Sequence, residues 1–99
     1  MTTASVYILY SQNLNKFYIG FTSESVSERL RRHNTDYYDD KFTASGKPWV
    51  LFTHIECIST NQARKIEAHI KSMKSAKYIK NLMHYPEIIL KLKTKYQNC

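Results

Sequence analysis

Apolar positions along the 99-residue chain change their spacing in a way that lays out its elements. Residues 5–10 (SVYILY) and 16–21 (KFYIGF) are short runs rich in β-branched and aromatic side chains, and the mainly polar stretch between them holds Asn13 and Asn15. Two such runs around turn-forming residues predict a β-hairpin. Setting Tyr7 opposite Tyr18 closes it through a four-residue loop, 11–14, with both tyrosines on one face. The period then lengthens. Ser25 and Glu28 form a capping-box pattern, so a helix is predicted over 26–34 with Val26, Leu30 and His33 on its inner stripe. Residues 35–47 carry Asp36, Asp39, Asp40 and Gly46 and read as a loop long enough to be functional. Pro48 opens a third strand over 49–57. Ser59 and Gln62 repeat the capping pattern before Ala63, Ile66, Ile70 and Met73 at helical spacing, with Arg64, Glu67 and Lys71 on an adjoining stripe. A further short helix fits 75–83, and Pro86 suits the first position of a last one containing Ile88, Ile89, Leu90 and Leu92. The expected order is ββαβ followed by helices.

Composition narrows the class. With 42% hydrophobic and 13% aromatic residues, two glycines and two prolines, the chain has the material for one small globular domain over 1–99 and the bias of neither a disordered nor a collagen-like segment. Cys57 and Cys99 read as free thiols in a reducing compartment. Without a long apolar run or a signal-peptide pattern, the expected location is the cytoplasm. Charge is distributed unevenly. Residues 1–61 hold six basic and six acidic side chains, whereas 62–99 hold nine basic ones against only Glu67 and Glu87, so the net +7 lies in the C-terminal part, whose end, 75–99, is a basic helical region. Such a balance favours an anionic partner, nucleic acid ahead of a membrane surface, although lysines on solvated helix faces serve solubility equally well.

Several chemistries are excluded by what the sequence lacks. No Gly-x-Ser-x-Gly elbow exists and Cys57 lies inside a strand, which removes covalent Ser or Cys catalysis. His54 and Cys57 point to opposite faces of a strand, and no other close Cys/His pair completes a zinc set. There is no Gly-x-x-x-x-Gly-Lys phosphate cradle. What remains is Tyr7 and Tyr18 on the hairpin, Arg29 and His33 one turn apart on a helix, and Glu67 in an otherwise basic helix. Four-residue spacing puts a guanidinium that can fork onto phosphate beside an imidazole. Each residue also has an ordinary explanation. The tyrosines can be sheet packing, Arg29 a solvated neighbour of Arg31 and Arg32, His33 a favourable charge at a helix C-terminus, and Glu67 a partner of Lys71 or Arg64.

Their order is what distinguishes them. Val6-Tyr7-Ile8, then Tyr18-Ile19-Gly20, then Arg29-x-x-x-His33, then Glu67 resembles the GIY-YIG nuclease family over most of residues 5–75. The YIG half is literal, while Ser5-Val6-Tyr7 stands for Gly-Ile-Tyr. The strings ERLRRHN (28–34), FTASGKPW (42–49) and EAHIK (67–71) make the small single-domain bacterial members the most similar. The resemblance implies an α+β fold, a three-stranded antiparallel sheet flanked by helices, and metal-dependent cleavage of a phosphodiester. It implies Glu67 as ligand of one Mg²⁺ (or Mn²⁺), Arg29 on the scissile phosphate, Tyr7 as general base, His33 as an acceptor or relay of its proton, and Tyr18 orienting water or phosphate. A free phenol ionises near pH ~10, so Tyr7 needs a neighbouring cation to serve as a base near neutrality. Arg32, Lys47, Lys71, Lys74 and Asn81 are the expected nucleic-acid contacts. Some members carry a lysine three residues after the YIG tyrosine, where this chain has Phe21. The expected function is an endonuclease of low sequence specificity acting on DNA ahead of RNA, single strands included. The alternative is an inactive nucleic-acid-binding module, and a membrane or protein-interaction domain is the third reading. The oligomeric state is not legible in the residues.

Overall fold

A computed structural model describes residues 3–35 and 41–97 of the chain, with the side chains of 41 and 42 left out of account. Its elements are β1 (Ala4–Ser11), β2 (Lys16–Thr22), α1 (Val26–His33), α2 (Lys41–Ser45), β3 (Trp49–Cys57), α3 (Thr60–Met73), α4 (Ala76–His84) and α5 (Pro86–Lys95). The strands form one antiparallel sheet in the order β2-β1-β3. This is the expected α+β architecture, with one addition: the loop expected over 35–47 contains the short helix α2. Asp36, Asp39 and Asp40 lie outside the described residues.

The hairpin register corrects one expectation. Tyr7 pairs with Gly20 and Tyr18 with Leu9, so the four-residue loop is 12–15 rather than 11–14. The turn chemistry decides it: Leu14 N–H donates to Ser11 Oγ at 3.1 Å, Tyr10 Oη–H donates to Asn15 Oδ1 at 2.6 Å, and Asn15 takes the left-handed backbone that asparagine tolerates (φ 51°). Because side chains alternate with a period of two, this two-residue slip still leaves both tyrosines on one face.

That alternation divides the protein. Val6 and Ile8 of β1 face a core completed by Ile55, Cys57, Ala63, Ile66, Ile70, Ile79, Leu82 and Leu92, which brings α3, α4 and α5 onto one side of the sheet. Tyr7 and Leu9 face the other side, where Trp49 joins them and Leu14, Tyr18, Val26 and Leu30 close over them. Between Ile8 and Leu9 the pairing with β3 shifts by one residue, leaving Phe52 as a bulge that turns its ring edge-on to Phe17 at 5.0 Å. His54 is exposed and Cys57 buried, as expected of opposite faces.

Three helices start alike: Ser25, Ser59 and Ser75 each accept the N–H of the residue three positions on, at 3.0 Å. In the two predicted capping boxes the residue three positions on reaches elsewhere. Glu28 turns instead to Arg31 and Arg32, and buried Gln62 spans two elements, accepting from Ile58 N–H at 2.8 Å and donating to Lys93 C=O at 3.0 Å. That amide ties α5 to the start of α3. Among the described residues, no helix is long and apolar enough to cross a membrane.

Candidate active site

The face of the sheet carrying Tyr7 is built from small and aromatic residues in alternation. Gly20 lies directly across from Tyr7, and a Cβ there would fall 2.6 Å from the phenol Cζ and Oη. The ring therefore lies over the Gly20 backbone, which is what the glycine of the YIG string permits. Two residues back on β2, Tyr18 stacks on Tyr7 with ring centroids 6.3 Å apart. From α1, His33 enters between them: its Nε2 is 3.3 Å from Tyr7 Oη, and its ring centroid is 4.4 Å from that of Tyr18. Tyr7 is 2% and His33 1% exposed, so Tyr18 is the half-exposed member of the trio.

Trp49 forms the remaining wall, 6.1 Å from the Tyr18 ring and 6.5 Å from that of His33. It is anchored from three directions. Its backbone N–H donates to Asn34 Oδ1 at 2.5 Å, its carbonyl accepts from Asn34 Nδ2 at 2.8 Å, and its indole N–H donates to Thr43 C=O at 2.8 Å. A Cβ on Gly46 would lie within 3 Å of the indole, so this glycine too is a place of close approach. The Lys47–Pro48 peptide bond is cis, and Lys47 C=O accepts from Asn13 Nδ2 at 2.5 Å, which ties this segment to the hairpin loop.

Arg29 occupies the α1 position one turn before His33, and its Nε–H donates to Thr22 Oγ1 at 3.2 Å. That hydroxyl also accepts Glu24 N–H at 2.9 Å. The neighbouring arginines face a different environment. Arg31 and Arg32 pair with Glu28, and Arg32 also pairs with Glu24 at 3.0 Å. The hydrogen bond from Arg31 holds the Glu28 carboxyl down at about 2. Arg32, an expected nucleic-acid contact, thus has its charge balanced by two carboxylates.

Glu67 is 15% exposed on the flank of α3, where it pairs with Lys71 at 3.7 Å. The carboxylate is largely shielded and the lysine is the exposed partner. No contact among the described residues joins Glu67 to the tyrosines. The end of α3 and the start of β2 share a cleft through Lys74 and Lys16, and α3 packs on β2. Lys71 lies one turn after Glu67 on α3, and Lys74 is the C-cap residue of that helix. Asn81 lies half-buried on α4, and its backbone carbonyl accepts Tyr85 N–H at 2.8 Å. No contact among the described residues joins it to the tyrosine cluster.

A metal ion can be tested against these donors. Among the described residues no group of three His, Cys, Asp or Glu side chains could cage one. A single shielded carboxylate whose lysine partner stands 3.7 Å away fits Mg²⁺, an ion that keeps several waters and takes substrate phosphate as a ligand.

Two participants escaped the reading of the residues. Thr22 shares the strand parity of Tyr18 and Gly20, a signal that could have found it. Asn34 follows His33 at the helix end and carried no such mark.

Comparison with known proteins follows the same lines. The model of the GIY-YIG catalytic domain matches residues 3–80. The UPF0213 protein of Syntrophus aciditrophicus (strain SB) is 34% identical over 88 residues, which cover 88% of this chain and 98% of that protein. No solved structure matches significantly.

Proposed function

The chain belongs to the GIY-YIG family of nucleases, and from that premise we propose that it is a divalent-metal-dependent endonuclease hydrolysing phosphodiester bonds of DNA in the cytoplasm with low sequence specificity. The observation that carries this reading is the Tyr7–His33 pair at 3.3 Å, stacked beneath Tyr18 and one helical turn from Arg29. The imidazole gives the buried phenol a proton acceptor within hydrogen-bond reach, which a base needs, and a binding module has no use for one shielded carboxylate in a basic helix.

In this reading Tyr7 Oη takes the proton of the attacking water as its own phenolic proton passes to a neutral His33 Nε2, the atom within hydrogen-bond reach of it. Arg29, held by Thr22, presents its guanidinium to the scissile phosphate, where negative charge grows as attack proceeds. Tyr18 orients the water or a phosphate oxygen from the open side of the stack. Glu67 would hold Mg²⁺ or Mn²⁺, which would supply charge neutralisation to the reacting phosphate.

The test is incubation of the protein with single- and double-stranded DNA and RNA in Mg²⁺, Mn²⁺ or EDTA, alongside Glu67→Gln. Cleavage of DNA that stops in EDTA and in Glu67→Gln, with nucleic-acid binding retained, is the expected result. Binding without cleavage by the parent would leave an inactive binding module, and full activity of Glu67→Gln would remove the metal role.

A further inference from the structure

We propose that the cleft between the hairpin loop and the α3–α4 junction holds the sugar-phosphate strand leading away from the active site, with Lys16 and Lys74 as its phosphate contacts. The proposal rests on the nuclease reading and extends it to where the substrate runs. The cleft encloses about 590 Å³ and is lined by Asn15, Lys16, Phe17, Lys74, Ser75, Ala76 and Ile79. Its chemistry is divided. Phe17, Ala76 and Ile79 supply apolar surface, and Lys16 and Lys74 supply two exposed ammonium groups, neither paired with a carboxylate among the described residues. Ser75 Oγ is committed to capping α4, which leaves the lysines as the cationic donors. Cations beside an aromatic surface suit a strand that offers phosphates and flat bases together, the combination by which single strands are held without sequence preference.

Position connects this cleft to the site. Lys16 shares the strand parity of Tyr18 two residues away, and Lys74 is the C-cap residue of α3, the helix that carries Glu67. The cleft is thus bordered by the strand of the tyrosine stack and by the end of the candidate metal ligand's helix.

The experiment measures the dissociation constant of a 12-mer oligothymidylate against KCl concentration, in EDTA so that nothing is cut. It compares the parent with Lys16→Gln, Lys74→Asn and the double variant. Asparagine is chosen at position 74 because Lys74 sits in left-handed backbone (φ 47°) that asparagine tolerates. Lys91→Gln, at a separate hollow on α5 lined by Glu87 and Leu90, removes the same charge elsewhere. Each lost phosphate contact should lower the log–log salt slope by about 0.7, and the double variant by about 1.4, with Lys91→Gln leaving the slope at the parent value. A double variant with the parent slope, or a Lys91→Gln slope reduced as much, overturns the cleft. So does competition by polyglutamate as effective as by an oligonucleotide of equal charge, which would reassign it to acidic peptides. If the parent cuts DNA in Mg²⁺ while the slopes stay equal, only the cleft fails. If it neither binds nor cuts, the nuclease reading fails with it.

Discussion

At the scale of single residues, one hydrogen atom and one hydroxyl carry the argument. Gly20 is the floor under Tyr7, so Gly20→Ala drives a methyl to 2.6 Å from the phenol. Strand backbone accepts alanine, so the cost is overpacking, about 1–3 kcal/mol, and Tyr7 must move off His33 to relieve it. Cleavage should fall by far more than the shift in urea midpoint accounts for, and a variant with parental rate would mean that the ring position is irrelevant. Tyr7→Phe makes the complementary test, since it keeps the stack on Tyr18 and deletes only the hydroxyl beside His33. Single-turnover rates should collapse in Tyr7→Phe by far more than the loss of about 1–3 kcal/mol from leaving the buried His33 ring nitrogen without its partner accounts for. Substantial activity in Tyr7→Phe together with its loss in His33→Ala would move the base to the imidazole.

At the scale of elements, α1 matters through its ends. Its start is capped by Ser25, and past its last turn the Asn34 amide makes two hydrogen bonds to the Trp49 backbone, fixing His33 against the tyrosines from the sheet side. Asn34→Ala leaves the buried Trp49 with an unmet N–H and should cost about 1–3 kcal/mol in denaturant unfolding. Asn34→Asp keeps the acceptor for that N–H and should recover part of the loss in both stability and rate. Equal losses in the two variants would show that the bond to Trp49 N–H contributes nothing. The contrast between Asn34 and its neighbours also marks where sequence reasoning stopped. Strand and helix positions followed from periodicity, which is a local property, and so did the serine caps. The hairpin register did not, because a two-residue slip preserves every facing pattern and only the turn bonds of Ser11 and Asn15 select between them. Gln62 read as half of a capping box because its sequence neighbours allow that bond, and nothing local announces that α5 will offer Lys93 C=O. Tyr7, Tyr18 and His33 were legible as ordered motif residues, and their contact is a tertiary fact. Nor could the exposure of Glu67 be read: its flank on α3 depends on how the helix lies on the sheet.

At the scale of the molecule, the family match ends at residue 80 while the core does not. Leu92 of α5 is 4% exposed within the same cluster as Val6, Ile8 and Ile66. We therefore expect one cooperative unit: Leu92→Ala should lower the unfolding free energy by about 2–5 kcal/mol and shift a single transition, seen alike by far-UV signal and Trp49 fluorescence. Separate transitions for the two signals would detach α5 from the domain. The interleaving within β1 has a further consequence. Val6 and Ile8 answer to the helical core, while Tyr7, lying between them, answers to the face of the candidate active site. One strand thus carries two independent sets of demands at alternate positions. Drift at the even-numbered sites is charged against the helical core, and on the odd-numbered face, where Leu9 is buried with Trp49, only changes that keep the packed rings can alter activity while the fold persists. A lineage could lose its chemistry by the removal of one hydroxyl, without first passing through an unfolded ancestor.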